Sequence, residues 1–239
     1  MPQIYTSQQI ADEEVAFSLT TKCGSTTANQ AFTPLNMLRR HLFWTQPAPL
    51  GVVGTQRATF IDVDEAGLML KCVNRGRGKS YIGCRVRENG PYGHSEKWTI
   101  ILGVDSAGRR WMRFKKVAGT TAVVFDAFIR RVMASLPSPL VAPGHYGPAG
   151  QQRVFLWDNL TSHHSVLVMN SVYAAGHRVV ARPPYRPCDG PIEYLFNQLQ
   201  RELTACPYKI KNDADLQREV SRIVMNLGGF NATFAHCGY

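Results

Sequence analysis

Thr59-Phe-Ile-Asp-Val-Asp64 is the stretch on which the reading of the fold turns. Phe60, Asp62 and Asp64 fall on one face of an extended chain, Ile61 and Val63 on the other, which is the two-residue period of a β-strand. Both acids share a face, and the strand alone does not choose between them. Glu65, Ala66 and Gly67 follow, and then a basic, glycine-rich passage.

Outward from this strand, Trp98 to Val104 and Trp111 to Val117 read as two more strands, with Asp105-Ser-Ala-Gly108 as the hairpin turn between them. Thr120 or Thr121 caps a helix running to about Leu136, with Val124, Phe128, Ile129 and Val132 on its apolar side. The Pro- and Gly-rich stretch from Pro137 to Gly150 reads as loop. Arg153 to Trp157 is a β-rich run ending on Asp158, Ser165 to Ala175 a helix stopped by Gly176, and His177 to Ala181 a further strand. Pro191 opens a helix with Ile192, Leu195, Phe196, Leu199 and Leu203 as one stripe and Glu193 in its first turn. A last helix opens at Asn212 or Asp213, turns Leu216, Val220, Ile223, Val224 and Leu227 inward, and ends at Gly228-Gly229.

Three strands, helix, strand, helix, strand, helix predict an α/β fold: a five-stranded mixed sheet, antiparallel at its start and parallel in its additions, flanked by helices on both faces. Residues 57–205 form the main domain. Residues 1–56 form a short N-terminal segment whose one helix, opened by Thr33-Pro34, carries Leu35, Leu38 and Leu42 on one side. Residues 206–239 are a helical extension.

At 239 residues and 44% hydrophobic content the chain can bury a substantial core. It has no apolar run long enough for a membrane span, and its first thirty residues, with Asp12, Glu13 and Glu14, lack the order of an export signal. A soluble, intracellular protein is expected, in the nucleus of a eukaryote or the cytoplasm and nucleoid of a bacterium. Six cysteines without a Cys-x-x-Cys pair exclude a zinc ribbon and read as free thiols.

The net charge of +10 is concentrated: residues 71–131 hold fourteen Lys or Arg against four Asp or Glu, and the rest of the chain is neutral in sum. Such a block suits contacts to DNA phosphates. The candidates are Arg75, Arg77, Lys79, Arg85, Arg87, Arg109, Arg110, Arg113, Lys115 and Lys116. Arg75-Gly-Arg-Gly-Lys-Ser80 is no phosphate-binding loop, since the first glycine it would need is Val73. No nucleotide cofactor is expected.

Asp64 (or Asp62), Asp158 and Glu193 fall at the ends of three elements, where sites form. Acids from separate elements are what a pair of hard divalent cations requires, because Mg²⁺ favours carboxylate oxygens and retained water. Phosphodiester cleavage is the chemistry such a pair serves.

Pro183-Pro-Tyr-Arg-Pro-Cys-Asp-Gly-Pro-Ile-Glu193 resembles the signature Pro-Pro-Tyr-Ser-Pro-Asp-Leu-Asn-Pro-Ile-Glu of the mariner-like superfamily of DDE transposases. Asp64-Glu-Ala-Gly67 resembles that family's first-acid motif, and Asp158-Asn159 followed by His163 its second. Asp158 and Glu193 enclose 34 residues, the spacing of the Asp-Asp-Glu branch. The resemblance covers roughly residues 58–205. It implies a ribonuclease H-like fold, two Mg²⁺ or Mn²⁺ ions on Asp64, Asp158 and Glu193, and double-stranded DNA, both transposon ends and target, as substrate. It implies strand cleavage followed by strand transfer by the freed 3′ hydroxyl; a homodimer is a candidate assembly. Asp62, Asn159 and His163 are candidates to support the three acids.

Arg186, Cys188, Asp189 and Gly190 depart from the signature. Residues 1–56 hold at most a partial helix-turn-helix remnant, where complete members use about twice that length to read DNA ends. A catalytically silent or domesticated DNA-binding remnant and a structure-selective nuclease of the same fold are the competing readings.

Overall fold

β1 (Phe60–Met69) is ten residues long and runs five residues past Asp64. Its two neighbours explain the length. On one side β2 (Lys97–Asp105) pairs antiparallel along nearly all of β1, from Ile61 opposite Asp105 to Met69 opposite Lys97. On the other, β6 (Val154–Trp157) pairs in parallel and is recorded only from Phe60 to Asp62. Asp64 therefore lies mid-strand, at the place where the sheet has just lost one neighbour. The computed structural model that shows this describes residues 29–69, 97–116, 119–137, 140–142, 145–146, 152–206 and 210–239.

β3 (Arg110–Lys115) closes one edge antiparallel to β2, and β7 (Arg178–Ala181) closes the other parallel to β6. The order is β3-β2-β1-β6-β7, the mixed five-stranded sheet expected. Alternation along the strands then sorts the core. Ile61, Val63, Ile101, Phe155, Trp157 and Val179 turn toward α2 (Ala122–Ala134) and α3 (Val166–Ala174). Phe60, Ile100, Leu102, Leu156 and Val180 turn toward α4 (Pro191–Ala205), α5 (Asp213–Asn226) and α6 (Phe230–His236).

Helix starts follow local chemistry. The side-chain oxygens of Thr121, Ser165 and Asn212 accept the N–H three residues on, at α2, α3 and α5. α4 is the exception, with Gly190 before it and no cap of its own. Its buried stripe of Ile192, Leu195, Leu199 and Leu203 contributes about 1.5–3 kcal/mol per side chain, against about 1 kcal/mol for a cap. Packing holds this helix, and the detail of its first turn is left to a residue from elsewhere.

Two expectations need correction, and one helix is new. The N-terminal helix α1 (Pro34–Thr45) buries Asn36 and Phe43, while Leu35 and Leu38 are 57% and 52% exposed; it docks through Phe43 and polar contacts, not a leucine face. The Pro- and Gly-rich stretch contains a small separate sheet, β4 (Leu140–Ala142) against β5 (His145–Tyr146). Gly228-Gly229 ends α5 as expected, but Gly229, at φ 74°, turns the chain at once into α6. Phe43, Phe230 and Phe234 join the α4 and α5 residues in one cluster, so both flanks of the 57–205 region add to its core. Among the described residues no helix is long and apolar enough to cross a membrane.

Candidate active site

Strand register sets where the first two acids stand. β1 and β6 are in step at Asp62 and Leu156, the last recorded pair, and Asp64 and Asp158 each lie two positions beyond it, Asp158 just past the end of β6. Glu193 arrives from the first turn of α4, on the sheet face to which Asp62 and Asp64 point.

Asp62 and Asp64 are distinguished by their partners. Asp62 is fully buried, and its Oδ2 accepts the N–H of Ile192 at 2.9 Å. It supplies the cap that Gly190 cannot. Burial, opposed by Arg182 and that N–H, leaves its pKa pushed up to about 7. Asp64 sits at the mouth of the same strand face, with Oδ1 accepting the N–H of Glu65 at 2.7 Å and Oδ2 accepting from Arg182 Nη2. Asp62 anchors the helix that carries Glu193, and Asp64 is the outer acid.

His163 is the support of Asp158. It is fully buried and stacked on Phe125, ring centroids 3.8 Å apart. Nδ1 lies 2.7 Å from Asp158 Oδ1, and Nε2 lies 3.1 Å from Glu65 Oε1. A carboxylate at each nitrogen asks both to donate, which is the imidazolium form. Burial pulls its pKa down, but the hydrogen bonds and charges of Asp158 and Glu65 outweigh it and raise it above the ordinary histidine value. Burial likewise pushes Asp158 up, and the His163 bond and charge, the N–H of Leu160 at 3.2 Å and Arg182 together bring it below the usual carboxylate range. The Asp158 side chain remains 41% exposed.

Arg182 was not singled out in the sequence, although a charge directly after Val179-Val180-Ala181 and before Pro183-Pro184 was its one signal. Its N–H extends the sheet ladder by donating to Trp157 O at 2.8 Å, and its carbonyl accepts from Asn159 Nδ2 at 2.7 Å. Its side chain is buried against both strand acids, bonded to Asp64, with Nε 3.6 Å from Asp62 Oδ1. Glu65 was also missed; it turns to the opposite sheet face from Asp64, where His163 links it to the site. Asn159 thus braces the strand end rather than the acids directly.

The loop before α4 is held from both flanks. Arg40 of α1 grips the Asp189 carboxylate at 3.0 and 3.3 Å, and Tyr239 Oη donates to Asp189 O at 2.8 Å. Arg186 lies 4.6 Å over the ring of Phe32. Asp189 and Arg186, two of the departures from the signature, are therefore partners of residues outside it. Tyr185 is 53% exposed at φ 60°, so its ring is outside the core.

The donors suit a hard divalent cation: carboxylate oxygens from three elements. Burial raises the pKa of Glu193, and the charges of Asp64 and Asp158 raise it further against Arg182. That mutual repulsion is what a cation between them would relieve. Among the described residues, no three His, Cys, Asp or Glu side chains are already gathered into a coordination shell. Arg182 and His163 hold two of the acids instead.

Of the basic candidates, Arg75, Arg77, Lys79, Arg85 and Arg87 lie outside the described residues. Arg109 pairs with Asp105 at 2.7 Å, Arg113 donates to Val124 O at 3.3 Å, and Lys116 pairs with Asp213 at 3.1 Å. Arg110 donates to the carbonyls of Val224 and Leu227 at 2.6 and 3.1 Å, closing the end of α5. Lys115 is half-buried on β3.

No curated protein sequence matches the chain. Several solved structures share its fold. A Mos1 transposase paired-end complex with the left transposon end is 16% identical, with a TM-score of 0.62, over 96% of this chain and 66% of that one. The Mos1 strand transfer complex is 16% identical, with a TM-score of 0.65, over 97% and 66%. The catalytic domain of Mos1 mariner transposase is 12% identical, with a TM-score of 0.53, over 99% and 90%. This chain thus spans about two thirds of the Mos1 chains in those complexes and most of the catalytic domain alone. Residues 59–217, which include Asp64, Asp158, Glu193 and Arg182, match the family described as DDE superfamily endonuclease. The chain belongs to the DDE superfamily endonucleases and has the ribonuclease H-like fold of the mariner transposase catalytic domain.

Proposed function

We propose that this chain is the metal-dependent strand-cleaving and strand-transferring domain of a transposase, acting on double-stranded DNA through Asp64, Asp158 and Glu193. The observation that supports the reading is the parallel register of β1 and β6, in step at Asp62 and Leu156 two positions before Asp64 and Asp158, together with the helix carrying Glu193, which is pinned to Asp62. Two Mg²⁺ or Mn²⁺ ions on these acids would supply a nucleophile at neutral pH and stabilise charge on the attacking and leaving oxygens. The protein's part is positional. Asp62 fixes the start of α4, His163 orients one oxygen of Asp158, and Glu65 holds His163 from behind. Transposon ends and target DNA as substrates, and a homodimer as the working assembly, belong to this proposal.

One observation favours a silent DNA-binding domain as the second reading: Asp64 already has a buried cationic partner in Arg182. The test is nicking of supercoiled plasmid by the purified chain with Mg²⁺ or Mn²⁺, beside Asp158→Asn and Glu193→Gln. Nicking that falls at least about a hundredfold in both variants supports catalysis. Equal nicking by all three, or none by the wild type, supports the silent domain.

A further inference from the structure

Arg182 and Gly190 fit each other in a way the catalytic reading does not use. The guanidinium is buried between the two strand acids and donates to the outer one, Asp64. It reaches them by passing the backbone at Gly190, where a Cβ would overlap its Nη1. Gly190 has φ −106°, a conformation open to any residue, so the backbone angle does not call for glycine. The room for Arg182 does. Gly190 is also a position where the chain departs from the signature it resembles, which has asparagine there. A side chain at 190 would make this guanidinium shift from where it now lies.

A divalent cation reaching Asp64 has to share or displace this guanidinium, because the Oδ2 atom is already accepting from Nη2 and the other oxygen accepts the N–H of Glu65. The cation also meets like charge at the distance of one side chain, beside a guanidinium that is itself buried. Asp62 gives Arg182 somewhere to remain when it lets go: Asp62 Oδ1 and Arg182 Nε, 3.6 Å apart, are both without a hydrogen-bond partner among the described residues. A small swing toward Asp62 satisfies both atoms and frees Asp64.

We propose that Arg182 is a resident counter-cation that competes with divalent metal for Asp64, raising the metal concentration the site needs, and that Gly190 is the opening that admits it. The inference rests on the reading of Asp64, Asp158 and Glu193 as metal ligands. It is tested by Mn²⁺ binding to the full chain, followed by the paramagnetic signal of free Mn²⁺, for the wild type, Arg182→Gln, Gly190→Ala and Asp158→Asn. Arg182→Gln removes the charge; Gly190→Ala keeps it but pushes it aside, and serves if the first variant does not fold. Both should bind Mn²⁺ more tightly, by about tenfold for the loss of one nearby charge, and their melting temperatures should rise more on adding Mn²⁺ than that of the wild type. Wild-type or weaker binding in the folded variants, together with weakened binding in Asp158→Asn, overturns the role of Arg182 and leaves the metal reading standing. Binding by Asp158→Asn equal to the wild type overturns the metal reading itself.

Discussion

Asp62 and Asp64 stand two positions apart and do different things. Asp62 spends an oxygen on the N–H of Ile192, deep in the fold, whereas Asp64 meets the mouth of the site. Asp62→Asn keeps an acceptor for that N–H; Asp62→Ala leaves it buried and unbonded, at a cost of about 1–3 kcal/mol. The alanine variant should therefore be the less stable by that margin in urea unfolding at neutral pH, and equal midpoints would remove Asp62 as the anchor of α4. Motif and spacing named the three acids as a set of candidates. The choice between Asp62 and Asp64 was not, since a shared strand face says nothing of what lies opposite each residue. Arg182 and Glu65 escaped for the same reason: their importance lies in partners 118 and 98 positions away.

At the level of elements, periodicity served where one face is buried and failed where a neighbour sets the limits. α2, α4 and α5 bury Val132, Leu195 and Val220 as their stripes imply. β1 outruns its expected end because β2 continues to offer it an antiparallel edge, and α1 turns Leu35 and Leu38 outward because Phe43 and Arg40 dictate its docking. The junction of β6 and β7 carries a pH signature. His177, just before β7, accepts the N–H of Arg153 at 3.2 Å through Nδ1, so it must be neutral in the fold. Burial, aided by Arg153, lowers its pKa to about 4. An unfolded histidine titrates near pH 6.5. Between these values the unfolded chain binds a proton that the native one does not, so the stabilisation is complete above about pH 6.5 and is lost as pH falls toward 4. His177→Gln keeps an acceptor but cannot titrate. Its urea midpoint should drop less than the wild type's between pH 7.5 and 5, and parallel drops would show that His177 is not the group concerned.

Over the whole molecule, part of the basic surplus is consumed by the fold: Arg109, Arg110, Arg113 and Lys116 each meet a partner within the chain. Which cations these would be was not legible, because carbonyls at a helix end, such as those that Arg110 meets at Val224 and Leu227, have no mark in the sequence. Replacing Arg75, Arg77, Lys79, Arg85 and Arg87 by glutamine should flatten the salt dependence of DNA binding, by about 0.9 in logarithmic slope for each phosphate no longer neutralised. Arg110→Gln should instead lower the melting temperature and leave that slope alone. A reversed outcome would mean that the phosphate-tracking surface runs along β3. The pairing of β1 with β6 also governs what a change in chain length can do. The positions of Asp64 and Asp158 follow from the register of β1 and β6 and not from the number of residues between them. A change of chain length between β1 and β6 that leaves both strands intact should therefore leave the two acids where they are. A single deletion between Val154 and Asp158 would turn the second acid to the far side of the sheet.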